Sequence, residues 1–89
     1  MKDEFVNSVS ILNDRENITH FIARCIGRKI RQLRNKYNLS GSELANVIGI
    51  SQQQLSRYEN GLNDISVSKL MLISIYFNID ASFFFEKEK

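Results

Sequence analysis

The chain of 89 residues contains no proline or tryptophan, only four glycines, one cysteine and one histidine. Because little in this composition interrupts helices, we expect an all-α domain with short turns. A single cysteine, Cys25, cannot form an internal disulfide, and Cys25 with His20 is too small a set for a Cys/His metal site. The sequence therefore predicts no metal centre.

Long apolar runs are also missing. No stretch approaches the ~20 apolar residues that a membrane-spanning helix requires, and the opening residues MKDEFVNSVS lack the charged-then-apolar order of a signal peptide. With 43% hydrophobic and 25% charged residues, the composition is typical of one globular domain with a single core. We expect a cytoplasmic protein without a membrane partner.

The residue patterns that most enzymes need are absent as well. The sequence shows no His/Cys/Asp cluster, no glycine-rich phosphate loop and no pair of carboxylates at a suitable spacing. We therefore predict that the chain is not an enzyme and that it binds no cofactor and no small-molecule ligand.

Basic residues are concentrated in the middle of the chain, although the net charge is only +2. Residues 17–61 contain seven lysines and arginines but only two acidic residues, Glu43 and Glu59. A basic surface of this kind attracts polyanions such as nucleic acids. The alternative is a solvated helix face that serves only solubility.

The spacing of apolar residues predicts two helices in the first half of the chain. Phe5, Val9 and Leu12 recur at three- and four-residue steps and indicate a short N-terminal helix that ends near NDREN. A single apolar stripe then continues from Ile18 to Tyr37 and predicts the longest helix, with the arginines on its opposite side.

Two further helices are predicted near the end of the chain. The apolar residues from Val67 to Phe77 indicate a largely buried fourth helix. Asp80 is a suitable N-cap for a final short helix, ASFFF.

The middle of the chain carries two helix starts separated by a glycine. Ser40 followed three residues later by Glu43 is a capping box, and Ser51 with Gln54 forms a second one. Gly49 supplies the left-handed backbone with which a chain leaves a helix abruptly. Two helices joined by so short a turn must cross steeply.

The second of these helices, SQQQLSRYEN, has a polar outer face. On a helical wheel Leu55 and Tyr58 point to the core, and the opposite side carries Gln53, Ser56 and Arg57, with Gln52 flanking them on the first turn. Glutamine can pair with adenine and arginine with guanine in the major groove of DNA, which admits one α-helix. This face is therefore typical of base reading, whereas the alternative is an ordinary hydrated helix surface.

The segment LSGSELANVIGISQQQLSRYENG, Leu39 to Gly61, resembles the Cro/C1-type helix-turn-helix regulators, also called the XRE family. The resemblance runs from about Ile26 to Phe85. It implies a five-helix DNA-binding domain, with a positioning helix from Gly41 to about Ile48 and a recognition helix from Gln52 to about Glu59. We expect this domain to span residues 21–89, preceded by an added N-terminal helical extension, residues 1–20.

The resemblance also implies roles for individual residues. Base contacts are expected from Gln52, Gln53, Ser56 and Arg57, and contacts to the DNA backbone from Gly41, Ser42, Ser51 and Asn60. Family members often pair an arginine late in the first helix with a glutamate of the recognition helix, here Arg34 and Glu59. The alternative for Arg34 is a direct phosphate contact.

This sequence departs from the family pattern in two ways. Gly41 stands where the family usually has glutamine, so one contact to the DNA backbone and to the next helix is missing. The N-terminal extension is similar to that of regulators encoded beside bacterial fimbrial operons, which act on motility genes.

A regulator of this size is expected to bind its operator as a homodimer, because one recognition helix reads only a few base pairs. The candidate dimer surfaces are Phe5, Val9 and Leu12, with Phe21 beside them, and Phe83, Phe84 and Phe85. Ordinary core packing is the alternative for both sets, and the N-terminal extension, residues 1–20, is expected to form at least part of the dimer interface. A second hypothesis for the whole chain is an antitoxin that binds a partner protein as well as its own operator.

Overall fold

The computed structural model describes residues 13–86. They form four α-helices and one 3-10 helix: α1, Arg15–Lys36; α2, Gly41–Ile48; α3, Gln52–Glu59; α4, Val67–Phe77; and the 3-10 helix Ala81–Phe85. No strand occurs between residues 13 and 86, which confirms the all-α prediction. The predicted count of five α-helices is not confirmed, because the last element is a 3-10 helix. The predicted N-terminal helix lies outside the described residues.

The helices surround one core. Its buried side chains are Ile30, Leu33, Leu44, Ala45, Ile48, Leu55, Leu70, Ile73, Phe77 and Phe84. Helix α1 packs against α3 and the 3-10 helix, while α2 packs against α3 and α4. Within residues 13–86 no helix has the length and apolarity needed to cross a membrane.

Helix α1 is only partly covered along the apolar stripe that its sequence shows. Ile30 and Leu33 are buried, but Phe21 is 53% exposed and Ile22 is also exposed. Those two residues line an open groove of about 560 Å³ together with Phe85 of the 3-10 helix. The expected domain boundary between residues 20 and 21 falls inside α1, whose helical backbone begins at Arg15.

Helix α4 differs from the expectation of a largely buried helix. Ile73 and Phe77 are buried, whereas Val67 is 77% exposed and Ile75 is 69% exposed. The buried residues of α4 lie at three- and four-residue steps and so form one side of the helix: Leu70, Ile73, Ser74 and Phe77. Helix α2 and the 3-10 helix pack on α4. The structure thus leaves an apolar stripe uncovered in the described part of the chain, and Met71 also belongs to it.

The start of α2 and the turn between α2 and α3 have the hydrogen bonds and the backbone conformation that the sequence predicts. The hydroxyl of Ser40 accepts a hydrogen bond from the backbone N–H of Glu43, whose side chain accepts one from the backbone N–H of Ser40. Gly49 has a φ of 72°, the left-handed conformation that ends α2. Helix α3 starts at the N-cap Ser51, which accepts from the backbone N–H of Gln54.

The second capping box is incomplete. The side chain of Gln54 does not return to Ser51 but donates to Asn63 beyond the end of α3. Of the two hydrogen bonds in the predicted reciprocal box, only the one accepted by the Ser51 hydroxyl is present. The cap predicted for the last helix is present, since Asp80 accepts from the backbone N–H of Ser82.

Helices α1 and α3 approach each other closely at Gly27. A Cβ placed on Gly27 would lie 2.6 Å from the backbone carbonyl oxygen of Glu59, a distance that real Cβ atoms do not show. Gly61, whose φ is 72°, packs in the same way against the backbone of Arg24. These two glycines allow the C-terminal end of α3 to rest directly on α1.

Candidate nucleic-acid interface

The site is built on two short helices joined by a tight turn. Ala45 of α2 and Leu55 of α3 are buried where the helices meet, at 2% and 1% exposure. The small side chain of Ala45 permits this close contact. The outer side of α3 therefore faces away from the core.

The four predicted base-reading residues lie together on this outer side. Gln52, Gln53, Ser56 and Arg57 are all exposed. Leu55 is buried and Tyr58 is partly buried, in agreement with the helical wheel. The structure thus gives α3 a polar face of amides, one hydroxyl and one guanidinium group. Their use in reading DNA stays a prediction.

The end of α3 is fixed to α1 by an ion pair. Arg34 donates from Nε to Glu59 Oε2 at 2.7 Å and from Nη2 to Glu59 Oε1 at 2.9 Å. The carboxylate is almost fully buried, and Arg34 also donates from Nη1 to the carbonyl oxygen of Leu39 at 3.0 Å. The hydrogen bond to Glu59 raises the pKa of Arg34, and all three nitrogen groups of its guanidinium have partners within the fold.

A second arginine, which the sequence analysis did not single out, extends this network. Arg31 donates from Nε to Glu59 Oε1 at 3.3 Å and from Nη2 to Asn60 Oδ1 at 3.1 Å. Asn60 in turn donates to the carbonyl oxygen of Ser56 at 2.8 Å. The side-chain amide of Asn60 is expected to contact a DNA phosphate. In the structure its oxygen already accepts from Arg31 and its nitrogen donates to Ser56.

Arg57 also has a partner that the sequence analysis missed. Its Nε donates to Asn63 Oδ1 at 2.7 Å, and Gln54 donates to the same oxygen at 3.3 Å. Asn63 lies in the loop after Gly61, six residues from Arg57 and outside the helical periodicity. No spacing rule in the sequence indicates this contact.

The start of α2 lies beside the start of α3. A Cβ placed on Gly41 would be 3.6 Å from the side-chain amide nitrogen of Gln52, at ordinary contact distance. A longer side chain at this position would therefore touch Gln52. Ser42 and Ser51, two further predicted backbone contacts, are exposed on this side of the fold.

The sequence model of the family described as helix-turn-helix matches residues 30–84, which is more than half of the chain. The chain belongs to this XRE-type helix-turn-helix family. The family identification made from Leu39 to Gly61 is thereby confirmed.

Curated relatives of this helix-turn-helix chain agree with the family. It is similar to an uncharacterised HTH-type transcriptional regulator of Rickettsia conorii, 40% identical over 72 residues, which are 81% of this chain and 58% of that protein. A regulator of Sinorhizobium fredii is 38% identical over 61 residues, 68% of this chain and 43% of that protein. Both relatives are named as HTH-type transcriptional regulators.

A third relative carries a different name. The antitoxin PezA of Streptococcus pneumoniae is 41% identical over 54 residues, 61% of this chain and 34% of that protein. The chain thus spans about half the length, or less, of the curated relatives that it matches.

The basic residues of this helix-turn-helix chain do not form the single surface stripe that the sequence suggests. Lys29 is buried, with Nζ 5.0 Å from the ring centroid of Phe83. Arg34 is bound to Glu59, as described above. The exposed basic residues between 17 and 61 are Arg24, Arg28, Arg31, Lys36 and Arg57. In residues 13–86 no group of three or more His, Cys, Asp or Glu side chains could hold a metal ion.

The candidate dimer residues fall into different environments. Phe5, Val9 and Leu12 lie outside the described residues. Phe84 is 2% exposed and belongs to the core, so it must be removed from the candidates. Phe85 is 66% exposed, and Phe83 is partly buried beside Phe84.

Proposed function

We propose that this helix-turn-helix chain binds double-stranded DNA in a sequence-specific manner and regulates transcription as a cytoplasmic homodimer. The observation that carries the proposal is the exposed face of α3, whose residues Gln52, Gln53 and Arg57 project from a helix anchored to α1. A rigid helix with an amide-rich outer face has the form that the major groove of DNA admits.

The donors and acceptors of this face fit base edges. Each glutamine can donate to N7 and accept from N6 of adenine, and Arg57 can donate to O6 and N7 of guanine. Ser56 offers a hydroxyl that serves as donor or acceptor. Since the side chains of these two glutamines, Ser56 and Arg57 are exposed, they can reach the bases without breaking any contact in the core.

Contacts to the DNA backbone would set the position of α3. The backbone N–H groups at Gly41 and Ser42 lie at the N-terminal end of α2, where the helix dipole favours phosphate. Ser51 accepts a hydrogen bond from Gln54 and keeps its own hydroxyl proton for a phosphate oxygen. Exposed arginines such as Arg31 add attraction that weakens with salt.

The proposal is tested by selecting binding sites from a random DNA library and measuring affinities by fluorescence anisotropy. We expect the wild-type chain to enrich a two-fold symmetric motif. Gln53→Ala and Arg57→Ala should each relax the preference at a particular base pair, by about 1–3 kcal/mol for Arg57. The matched control is Gln32→Ala, an exposed glutamine on α1, which should leave the motif unchanged. Failure of the wild-type chain to enrich any motif would refute the proposal.

A homodimer is supported by the exposed apolar surfaces of the described residues. One is the groove that contains Phe21 and Phe85, and the other is the stripe of Val67, Met71 and Ile75 on α4. Exposed apolar patches often mark interfaces. Control of fimbrial or motility genes by such a dimer stays a prediction.

Sedimentation analysis of the full chain can decide between the two surfaces. Phe21→Glu and Ile75→Glu each place a charge at a position that is more than half exposed in the monomer, so neither should unfold it. The variant that shifts the protein from dimer to monomer identifies the interface. A monomeric wild-type chain at tens of micromolar would contradict the homodimer.

A second candidate function is that of an antitoxin, which the similarity to PezA favours. In that case an apolar surface of this chain would bind a partner protein. Co-expression with the product of a neighbouring gene, followed by co-purification of the two proteins, would support the antitoxin. Purification of the chain alone together with sequence-specific DNA binding would favour the regulator.

A further inference from the structure

Asn63 stands at the centre of a small polar cluster beside the recognition face. Its Oδ1 accepts from Arg57 Nε at 2.7 Å and from Gln54 Nε2 at 3.3 Å. Within the described part of the chain, Nη1 and Nη2 of Arg57 make no hydrogen bond. Nε of this exposed guanidinium is thus held by Asn63, whereas Nη1 and Nη2 are not held by any described residue.

We propose that Asn63 is a positioning residue that aims Arg57 at its base pair, an inference that rests on the DNA-binding function proposed above. A long arginine side chain samples many rotamers. Fixing it before binding reduces the conformational entropy that is lost when DNA binds. With Nε occupied by Asn63, the Nη1 and Nη2 pair is the edge that remains for the two acceptors of guanine.

The loop that carries Asn63 does not need this side chain for its conformation. The backbone N–H of Leu62 donates to the carbonyl oxygen of Arg57 at 2.9 Å, and that of Gly61 donates to Tyr58 at 3.1 Å. These bonds, with the left-handed Gly61, already close the end of α3. The side chain of Asn63 is therefore available to hold Arg57 and is exposed rather than buried.

Measurement of base discrimination tests the inference. Using the motif selected by the wild-type chain, affinities are compared for all four base pairs at every position. We expect Asn63→Ala to lower discrimination by about threefold or more at the position that Arg57→Ala also affects, where a bidentate contact contributes roughly 5- to 150-fold. Asn63→Asp should retain discrimination there, because a carboxylate also accepts from Arg57 Nε.

Two controls separate positioning from a general structural effect. Asn35→Ala removes an exposed asparagine from α1 and should change nothing. In the double variant Arg57→Ala/Asn63→Ala, the loss at the shared position should not exceed that of Arg57→Ala alone. Unchanged discrimination in Asn63→Ala, or an equal loss at all positions, would overturn the inference.

An NMR measurement without DNA distinguishes this inference from the proposed function. In the free wild-type chain the Nε–H of Arg57 should be protected from solvent exchange and ordered, and both properties should be lost in Asn63→Ala. If the wild-type chain selects no DNA motif, the proposed function fails, and the NMR result still decides whether Asn63 holds Arg57. A rapidly exchanging Arg57 Nε–H in the wild type would overturn the positioning role.

Discussion

The ion pair between Arg34 and Glu59 allows a quantitative prediction about how α3 is held. We consider Arg34→Met, which keeps a side chain of similar length but removes the guanidinium. The change deletes two hydrogen bonds to the carboxylate, at 2.7 and 2.9 Å, and one to the carbonyl oxygen of Leu39 at 3.0 Å. The side chain of Glu59 is only 4% exposed, and its carboxylate would keep Arg31 alone as a charged partner.

The magnitude follows from the burial of the pair. Two unit charges about 4 Å apart interact by about 4 kcal/mol at an effective dielectric constant of about 20. Removal of one partner from a buried pair typically costs about 3–5 kcal/mol, because the other charge stays buried. Since the Arg34 side chain keeps 17% exposure, we expect the lower end, about 3 kcal/mol. In a domain of this size that loss lowers the melting temperature by roughly 10–25 °C.

Urea denaturation followed by circular dichroism at 222 nm measures this loss. The matched control is Arg31→Met, whose side chain is 45% exposed and contacts Glu59 at 3.3 Å, and which should cost less than about 1 kcal/mol. A double-mutant cycle with Glu59→Gln should give a coupling energy between about 1 and 3 kcal/mol for Arg34. If Arg34→Met were no more destabilising than Arg31→Met, the reasoning about the buried pair would be refuted.

Three further predictions concern glycines and a helix cap. Gly27→Ala would place a methyl group 2.6 Å from the carbonyl oxygen of Glu59, so thermal unfolding should show a loss of about 1–3 kcal/mol. Gly41→Ala, whose methyl group meets only ordinary contacts, should melt at or above the wild-type temperature. The backbone N–H and the hydroxyl of Ser40 hold the pKa of Glu43 below its ordinary value. The difference in unfolding free energy between wild type and Glu43→Gln should therefore be larger at pH 7 than at pH 3.

The sign of the pH effect follows from the lowered pKa. A carboxyl whose folded pKa lies below the unfolded value stabilises the fold above the unfolded pKa, about 4.3 for glutamate. That stabilisation is lost as pH falls through the folded pKa. If wild type and Glu43→Gln differed in unfolding free energy by the same amount at pH 7 and pH 3, the role of the ionised Glu43 would be contradicted. A melting temperature of Gly41→Ala below that of the wild type would contradict the open space assigned to Gly41.

Local patterns in the sequence identified the elements that form the site. The turn at Gly49 and the start of α2 follow from hydrogen bonds between neighbouring residues, so the cap at Ser40 could be read from four consecutive positions. The exposed side of α3 follows from the helical period, which places Leu55 inward and Arg57 outward. These features depend on residues within one or two turns of each other.

Contacts between distant segments could not be predicted in this way. The amide of Asn63 meets Arg57 only because the backbone folds back at Gly61, and Lys29 is buried because the 3-10 helix places Phe83 beneath it. The sequence pattern gives each helix an apolar side but does not tell how much of that side its neighbours cover. For this reason the exposure of Ile75 on α4 was not predicted.

The sequence by itself determined the helical class, the helix-turn-helix segment and the identity of the outward face, because caps, glycine turns and helical periodicity act over a few residues. Only the tertiary structure decided which apolar faces are covered and which basic side chains reach the surface. It also added Arg31 and Leu39 to the expected pair of Arg34 with Glu59, and it gave Arg57 its partner Asn63. Those outcomes depend on the angles and distances at which the helices pack, and such distances are set by the whole core at once.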